Sequence, residues 1–409
     1  VKFQPPRGTH DVLPSEQPLW QRATGTLAAV AEMYGYRRIL TPAFEDAELF
    51  LRTSGEGSDI VQKEMYVFED RSGRKLALRP EGTAPICRAY LEHGMQREPQ
   101  PVKLYTQATM YRYAAPQRGR YREHWQQSVE AIGSSDPAVD AELIHLYTEV
   151  LRRLGVTQWE LQLNSIGDAN CRPAYLERLN AWLDEHADAL DDDARQKRRT
   201  SPLRVFDVAN PEVRKALAEA PKIGESLCDE CAQHFTEVRR YLDALGVPYT
   251  IEPTLVRGLD YYTRTTFEFL GPEEGAQSTI CAGGRYDGLI EQIGGPPTPG
   301  IGFGAGVERL LLAVENEGIT AEAPTLDLFF LVDPDADRAA ALVEMAKLRG
   351  QGISCDTDYA GRSLKGQRTQ LARSGAKGFV HVRASGATIK RGDEERDVPV
   401  DAVAVTVLG

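Results

Sequence analysis

The stretch Leu255–Phe269, LVRGLDYYTRTTFEF, narrows the possible folds more than any other part of the chain. Its aromatic and β-branched residues ask for extended backbone within a sheet. A strand that only filled a core would keep one apolar side. This one carries Arg257, Asp260, Tyr261, Tyr262 and Arg264. The segment therefore reads as extended chain with a task beyond packing.

The surrounding sequence falls into three blocks. Residues 1 to about 165 mix helix and strand: LWQRATGTLAAVAEMYGY has helical periodicity, and RRILTPAFED reads as a strand leaving it. The second block, roughly 166–250, is mostly helical. Its segment RPAYLERLNAWLDEHADAL puts Tyr175, Leu176, Leu179, Trp182 and Leu183 on one helical face. Glycine-punctuated strand sequence returns from about 251 to 305 and runs into the helix GVERLLLAVENEG. A short linker, ITAEAPT, leads to the third block, where DLFFLV, ISCDTDY, KGFVHVR and DAVAVTVLG read as strands. Helices over DADRAAALVEMAKLRGQG and SLKGQRTQLARSG alternate with them. That alternation predicts a small α/β domain with a largely parallel sheet.

Composition enters through its exclusions. With 42% hydrophobic and 26% charged residues, the chain is of ordinary globular type. No apolar run reaches the roughly twenty residues of a membrane helix. The N-terminus, VKFQPPRGTHDVLP, lacks the apolar segment of a secretion signal, so a cytoplasmic location is expected. The net charge of −12 argues against indiscriminate nucleic-acid binding. From Gly361 to Arg391, however, there are eight basic residues and no acidic ones: Arg362, Lys365, Arg368, Arg373, Lys377, Arg383, Lys390 and Arg391. Such a stripe suits a phosphate backbone, and it equally suits a solvated face.

Six cysteines are scattered along the chain, which does not suggest a disulfide framework. Cys228-x-x-Cys231, with His234 three residues on and Cys171 upstream, has the donors of a zinc site. The same segment reads as plain helix with buried thiols, so structural zinc is not expected.

Four clusters carry chemistry. LRPEGTAP places Arg79, Glu81 and Thr83 around a turn. In YRYAAPQRGRYREHWQQSVEAIG, Arg112, Arg118, Arg120 and Arg122 flank the turn Pro116–Gly119. Arginine forks suit polyphosphate, and an exposed hairpin tip is the plain alternative. Beyond the turn, period two puts Gln126, Ser128 and Glu130 on one strand face. CAGGRYDGL matches no phosphate loop. In GIGFGAGVERLLL, Gly300, Gly302, Gly304 and Gly306 alternate before Glu308 and Arg309. A dinucleotide fingerprint would need a preceding strand, whereas GGPPTPG reads as a loop. A glycine-lined strand instead admits a flat ligand, with Arg309 reaching it from the helix start.

Together these pieces resemble the histidyl-tRNA synthetase family, whose members are class II aminoacyl-tRNA synthetases. LVRGLDYY (255–262) and GGRYDGL (283–289) resemble its histidine-specific signatures. RGTHDVLP, RPEGTA and AGRSLKGQ (360–367) are similar as well. Class II motif 1 resembles the region ending at Pro42, motif 2 residues 105–133 and motif 3 residues 300–312. The resemblance implies an α/β protein with a catalytic domain over 1–322 and an anticodon-binding α/β domain over 323–409. The catalytic domain would hold an antiparallel six-stranded sheet flanked by helices and a helical insertion over about 166–250.

The same resemblance implies that histidine is activated by ATP with Mg2+ and passed to tRNA(His) by a cytoplasmic homodimer with no membrane partner. Arg257 and Arg112 take the catalytic positions, and Arg112, Arg120, Arg309 and Gly304 the ATP positions. Glu81, Thr83 and Gln126 resemble the residues that hold the amino acid's α-ammonium and carboxylate. Glu130 and Tyr262 resemble the pair that reads the imidazole, with Tyr261 beside them. The chain departs from the family at motif 2, where Ala114 and Ala115 replace the usual Glu-Arg, and His124-Trp125-Gln126 replaces Phe-His-Gln. A synthetase-like regulatory subunit of ATP phosphoribosyltransferase shares the core and is the competing, non-enzymatic reading. The C-terminal block and the combination of Arg257, Arg112 and Arg309 weigh against it.

Overall fold

The computed structural model describes residues 2–55, 58–272 and 278–409. The chain divides into two units, Val1–Ala321 and Glu322–Gly409. The described strands of the first unit are β1 (Arg37–Arg38), β2 (Phe44–Asp46), β3 (Val67–Glu69), β4 (Lys75–Leu78), β5 (Val102–Tyr111), β6 (Glu123–Ile132), β7 (Glu160–Ser165), β8 (Thr250–Ile251), β9 (Thr263–Leu270), β10 (Thr279–Arg285) and β11 (Gly300–Gly306).

The main sheet has the order β1-β5-β6-β11-β10-β9-β7-β8. Its six inner strands, β5 to β7 in that order, pair antiparallel throughout. This is the six-stranded antiparallel sheet expected of class II. The two-residue strands β1 and β8 add to its edges in parallel. β2, β4 and β3 form a separate small sheet. The expected single strand over RRILTPAFED is thus two short pieces in different sheets, separated by a break at residues 39–43.

Side-chain alternation gives the sheet two unlike faces. On one, Val129, Phe303, Gly283, Phe267 and Leu163 lie in register across five strands. That face is covered by the helices Gln17–Met33, Pro137–Leu154 and Val307–Asn316, whose Leu27, Val30, Tyr147, Leu151 and Leu310 join one buried cluster with it. The Pro137–Leu154 helix illustrates how local sequence sets an element's bounds. Asp136 accepts the Ala138 N–H at 2.9 Å, Pro137 fills the first turn, and Gly155 ends the helix at φ 85°.

Residues 172–244 carry the helices Arg172–Glu185, Asp192–Thr200, Pro211–Leu217 and Asp229–Ala244. The first three build their own small core around Tyr175, Leu179, Leu183, Val205 and Leu217. The fourth sends Val238 and Leu242 into the main core. Leu255–Tyr262, read as extended strand, is instead irregular chain, and strand structure begins only at Thr263. The glycine and the charged groups leave 255–262 outside the ladder, where its side chains are free to point into a cavity.

The second unit holds β12 (Leu328–Val332), β13 (Cys355–Thr357), β14 (Gly378–Arg383), β15 (Gly386–Arg391) and β16 (Glu394–Val398), in the order β13-β12-β14-β15-β16. Only β12 with β13 and β12 with β14 are parallel; β15 and β16 continue antiparallel. The largely parallel sheet expected here is therefore a mixed one. DAVAVTVLG, read as a strand, is the helix Val403–Leu408 following a tight turn. The buried Glu344 carboxylate accepts the Ala404 N–H at 2.7 Å at the start of that helix, and Val403 and Ala404 pack into the unit's core. A tertiary cap has overridden strand propensity. Among the described residues no helix is long and apolar enough to cross a membrane.

The apolar face of the main sheet depends on Phe303, which is 1% exposed and rests edge-on against Tyr147 with ring centroids 5.5 Å apart. Phe303→Ala is expected to lower unfolding free energy by about 3–5 kcal/mol, read as a fall in the urea midpoint. A change below ~1 kcal/mol would show that this face is not the main core.

Candidate active site

The opposite face of the sheet is polar and glycine-rich. One row across the strands reads Ser128, Gly304, Ala282, Glu268, Gln162, and the next reads Glu130, Gly302, Gly284, Thr266, Asn164. Here the glycines of β11 make room for side chains from β6. A Cβ on Gly302 would lie 1.7 Å from Glu130 Oε2, and one on Gly304 would lie 2.8 Å from Gln126 Nε2. The alternating glycines are thus explained by side-chain clearance on a strand, with no phosphate loop.

Above this face lies a cleft of roughly 1240 Å3, larger than a pocket for one small ligand. All the predicted site residues line it except Glu130: Glu81, Thr83, Arg112, Arg120, Gln126, Arg257, Tyr261, Tyr262, Gly304 and Arg309. The wall is completed by Phe206, Asp207 and Val208 from the helical segment.

Among the described residues six arginines line the cleft; Arg204 and Arg214 come from the helical segment, and the four expected there come from four different places. Arg112 leaves the end of β5 and donates through Nε to Pro80 O at 2.7 Å. Arg120, in the β5–β6 loop, pairs with Glu64 at 2.8 Å. Arg309, in the first turn of the Val307–Asn316 helix, donates to Gly119 O at 3.1 Å and Thr279 O at 2.9 Å. Arg257 pairs with Glu268 at 3.3 Å, and its buried Nε–H has no acceptor among the described residues. Arg118 and Arg122 do not line the cleft. Arg118 pairs with Glu315 at 3.4 Å, and Arg122 stacks on the Tyr113 ring at 3.7 Å.

The electrostatics record this convergence. Burial, then the neighbouring Arg112 and Arg120, lower the Arg309 pKa to about 10. Burial followed by Arg112, Arg309 and Arg120 lowers His124 to about 3. A neutral imidazole and crowded guanidiniums mark a site that wants negative charge.

Carboxylates and phenols share the cleft with these arginines. Glu81 precedes the Thr83–Glu92 helix and accepts the Thr83 and Ala84 N–H groups at 2.5 and 2.9 Å. Burial nonetheless raises its pKa. Tyr261 and Tyr262 are adjacent rings with centroids 4.6 Å apart. Burial raises the Tyr262 pKa, which Arg257 opposes. Gln126 donates to Ser128 Oγ at 2.9 Å.

Glu130 sits one layer behind the wall, fully buried. Thr83 Oγ1 and Tyr286 OH each donate to its carboxylate at 2.7 Å. Burial raises its pKa well above the usual range, against those two bonds. Three participants were not singled out from the sequence. Tyr286 stands within GGRYDGL, which was noted only as a motif. Glu268 was legible as the polar residue between the buried Phe267 and Phe269. Glu64 gave no signal.

An antiparallel six-stranded sheet with a polyanion-seeking cleft on one face, fed by a hairpin arginine and a helix-start arginine, is the arrangement of a class II aminoacyl-tRNA synthetase. The profile described as histidyl-tRNA synthetase matches residues 8–310. Among similar proteins are histidine–tRNA ligases from Caldanaerobacter subterraneus and Rubrobacter xylanophilus, each 48% identical. The first covers 92% of this chain and 91% of its own, the second 92% and 90%. The apo histidyl-tRNA synthetase of S. aureus superposes with a TM-score of 0.82 at 37% identity, covering 99% of both chains. The chain belongs to the histidyl-tRNA synthetase family.

The lowered pKa of His124 makes the cationic cluster testable through stability. Below the unfolded-state value near 6.5 the unfolded chain takes up a proton that the folded chain refuses until about 3. Stability attached to this group therefore falls as pH drops from about 6.5 towards 3. Between pH 7 and 5, urea unfolding of the parent is expected to lose about 2 kcal/mol more than His124→Gln loses. Equal losses would mean that His124 titrates normally and that the cluster is looser than described.

Proposed function

We propose that the chain is a histidine–tRNA ligase: it activates L-histidine with ATP to histidyl-adenylate and pyrophosphate, then transfers histidine to the 3′ end of tRNA(His). The observation that carries this reading is that Arg112, Arg120, Arg257 and Arg309 line one cavity together with Glu81, Thr83 and Tyr262. The arginines suit a triphosphate, and the second group suits a small zwitterion with a polar ring.

In this reading a carboxylate oxygen of histidine attacks the α-phosphorus of ATP. The new P–O bond forms as the bond to the leaving pyrophosphate breaks. The nucleophile is already an anion, so no general base is required. The barrier lies in joining two anions, and Arg257 and Arg112 offset the charge that builds at phosphorus. Arg309 and Arg120 hold the outer phosphates, and Gly304 leaves room for the nucleotide against β11. Magnesium would be held by cleft carboxylates, Glu268 and Glu64, together with phosphate oxygens, and would neutralise phosphate charge. Glu81, Thr83 and Gln126 hold the α-ammonium and carboxylate. Glu130 and Tyr262 read the imidazole nitrogens with Tyr261 alongside, and Glu130 becomes available as Thr83 turns to the substrate. With Ala114 and Ala115 in motif 2, backbone carbonyls of that loop take the adenine contact.

The catalytic domain is assigned to 1–322, with 166–250 as an insertion placed for the acceptor arm, and 323–409 to anticodon binding. In the second unit Arg362, Lys377, Arg383 and Lys390 are paired with Asp358, Asp327, Asp397 and Glu395. Lys365, Arg368 and Arg373 stand exposed on the Leu364–Ser374 helix and are the residues offered to RNA. A cytoplasmic homodimer completes the reading.

Histidine-dependent ATP–pyrophosphate exchange tests the first step. Arg257→Ala is expected to slow exchange by about 10²–10³-fold, with the histidine Kd changed less than ~3-fold. Matching losses in rate and binding would refute a transition-state role for Arg257. Absence of exchange in the parent chain would favour a histidine-binding regulator. Replacing Lys365, Arg368 and Arg373 together by Glu is expected to raise the KM for tRNA by about tenfold or more while exchange is unchanged. An unaltered KM for tRNA would move the RNA surface elsewhere.

A further inference from the structure

Outside the cleft, the strongest concentration of reactive groups lies where the helical segment meets the sheet. Asp168 and Cys171 follow β7 and begin the Arg172–Glu185 helix; Cys228 and Cys231 begin the Asp229–Ala244 helix. One ligand atom from each of the four residues falls within 4.8 Å of all the others. His234, the sequence candidate, is not among them. It faces Asp140 at 3.6 Å and Arg285 at 3.4 Å.

We propose that Asp168, Cys171, Cys228 and Cys231 form a structural zinc site. With Zn–S near 2.3 Å and Zn–O near 2.0 Å, a tetrahedron has S···S edges of about 3.8 Å and S···O edges of about 3.5 Å. The observed Asp168 Oδ1 distances are 3.4 Å to Cys171 Sγ and 3.9 Å to Cys228 Sγ, already on that scale. Three thiolates and one carboxylate form a soft, closed, four-ligand set, which favours zinc over magnesium or calcium. An iron–sulfur cluster would insert its own core and spread the ligands farther apart.

The surroundings suit the charge. Three thiolates, a carboxylate and Zn2+ leave a net −2. Two helices start at the cluster and present their positive ends to it. Arg264 stands 3.4 Å from Asp168 Oδ2. The turn is shaped for close approach: Gly167 has φ 62°, and a Cβ there would lie 2.6 Å from Cys171 Sγ. Arg264, on β9, has φ 50° and donates its N–H to Gly167 O at 2.7 Å.

The site would tie both helices to the edge of the sheet beside the cleft. Arg172, next to Cys171, donates to Ile166 O at 3.0 Å and to the backbone carbonyl of Tyr262. A metal fixing Cys171 therefore fixes the residue that holds the Tyr262 backbone. Its role is positioning; no ligand of the metal lines the cleft.

The test is metal content and spectrum of the full chain purified without chelator under reducing conditions. About one zinc per chain is expected, released on titration with a thiol-blocking mercurial. Replacement by Co2+ should give thiolate-to-metal charge-transfer absorption. Cys228→Ser with Cys231→Ser should lose the metal and lower Tm. Because that variant could misfold, Asp168→Cys supplies a second arm: it should keep the metal and intensify the charge-transfer band. Zinc well below ~0.2 per chain after reconstitution would overturn the proposal. So would zinc retained in the double serine variant, or a disulfide consuming two of the six thiols in the reduced preparation.

Discussion

The constraint on which the first unit depends is the holding of four guanidinium groups inside one partly desolvated cleft. Left alone they would repel one another; burial first, and then the neighbouring guanidiniums, lower the Arg309 and His124 pKa values. The fold answers with fixed acceptors. Pro80 O, Gly119 O and Thr279 O hold Arg112 and Arg309; Glu64 and Glu268 hold Arg120 and Arg257. Each anchor comes from a different element, so the array exists only when the sheet, the β5–β6 loop and the Val307–Asn316 helix are assembled. Donors fixed in advance need no reorganisation when charge develops between them, which is the main electrostatic advantage of such a site.

The sheet makes this possible by assigning unlike tasks to its faces. The register that puts Val129, Phe303 and Phe267 into the core necessarily puts Ser128, Gly304 and Glu268 on the other side. A slip of one residue would bury Glu268 among aromatics and expose Phe267. The apolar core therefore enforces the register of the polar row. Arg285 closes the arrangement from below, bonded to Asp140 at 3.3 Å, Asp287 at 3.1 Å and Ser134 O. Its neighbour Tyr286 then holds Glu130. GGRYDGL supports the site from behind and does not line it.

Much of this was legible beforehand. Period two at Gln126, Ser128 and Glu130 gave the cleft face of β6, and the motif resemblance gave the six antiparallel strands and a set of positions of which all but Glu130 line the cleft. What stayed hidden depends on long-range contacts. Leu255–Tyr262 has strand-like composition, yet it bends into the cleft because Arg257 finds Glu268 and Arg172 grips the Tyr262 carbonyl. Val403–Leu408 has β-branched alternation, yet Glu344, about sixty positions earlier, caps it as a helix. Asp168 carries no metal-ligand spacing with Cys228, so only the folded chain brings it to the cysteines in place of His234. Glu64 is placed by a short irregular helix that no periodicity predicts.

The overall charge of −12 sharpens the meaning of the local cations. A strongly acidic chain repels polyanions at long range, so their capture must come from short-range contacts in defined places. The two places proposed for it differ in kind. The cleft arginines are half-buried and held by carbonyls and carboxylates, so their attraction for phosphate is weakly screened by salt. Lys365, Arg368 and Arg373 are exposed on one helix, so whatever they contribute to binding falls steeply as salt rises. The placement suits a division of labour in which the small substrates are held tightly and a large polyanion is held reversibly. That division follows from burial alone, since the same guanidinium chemistry serves both surfaces.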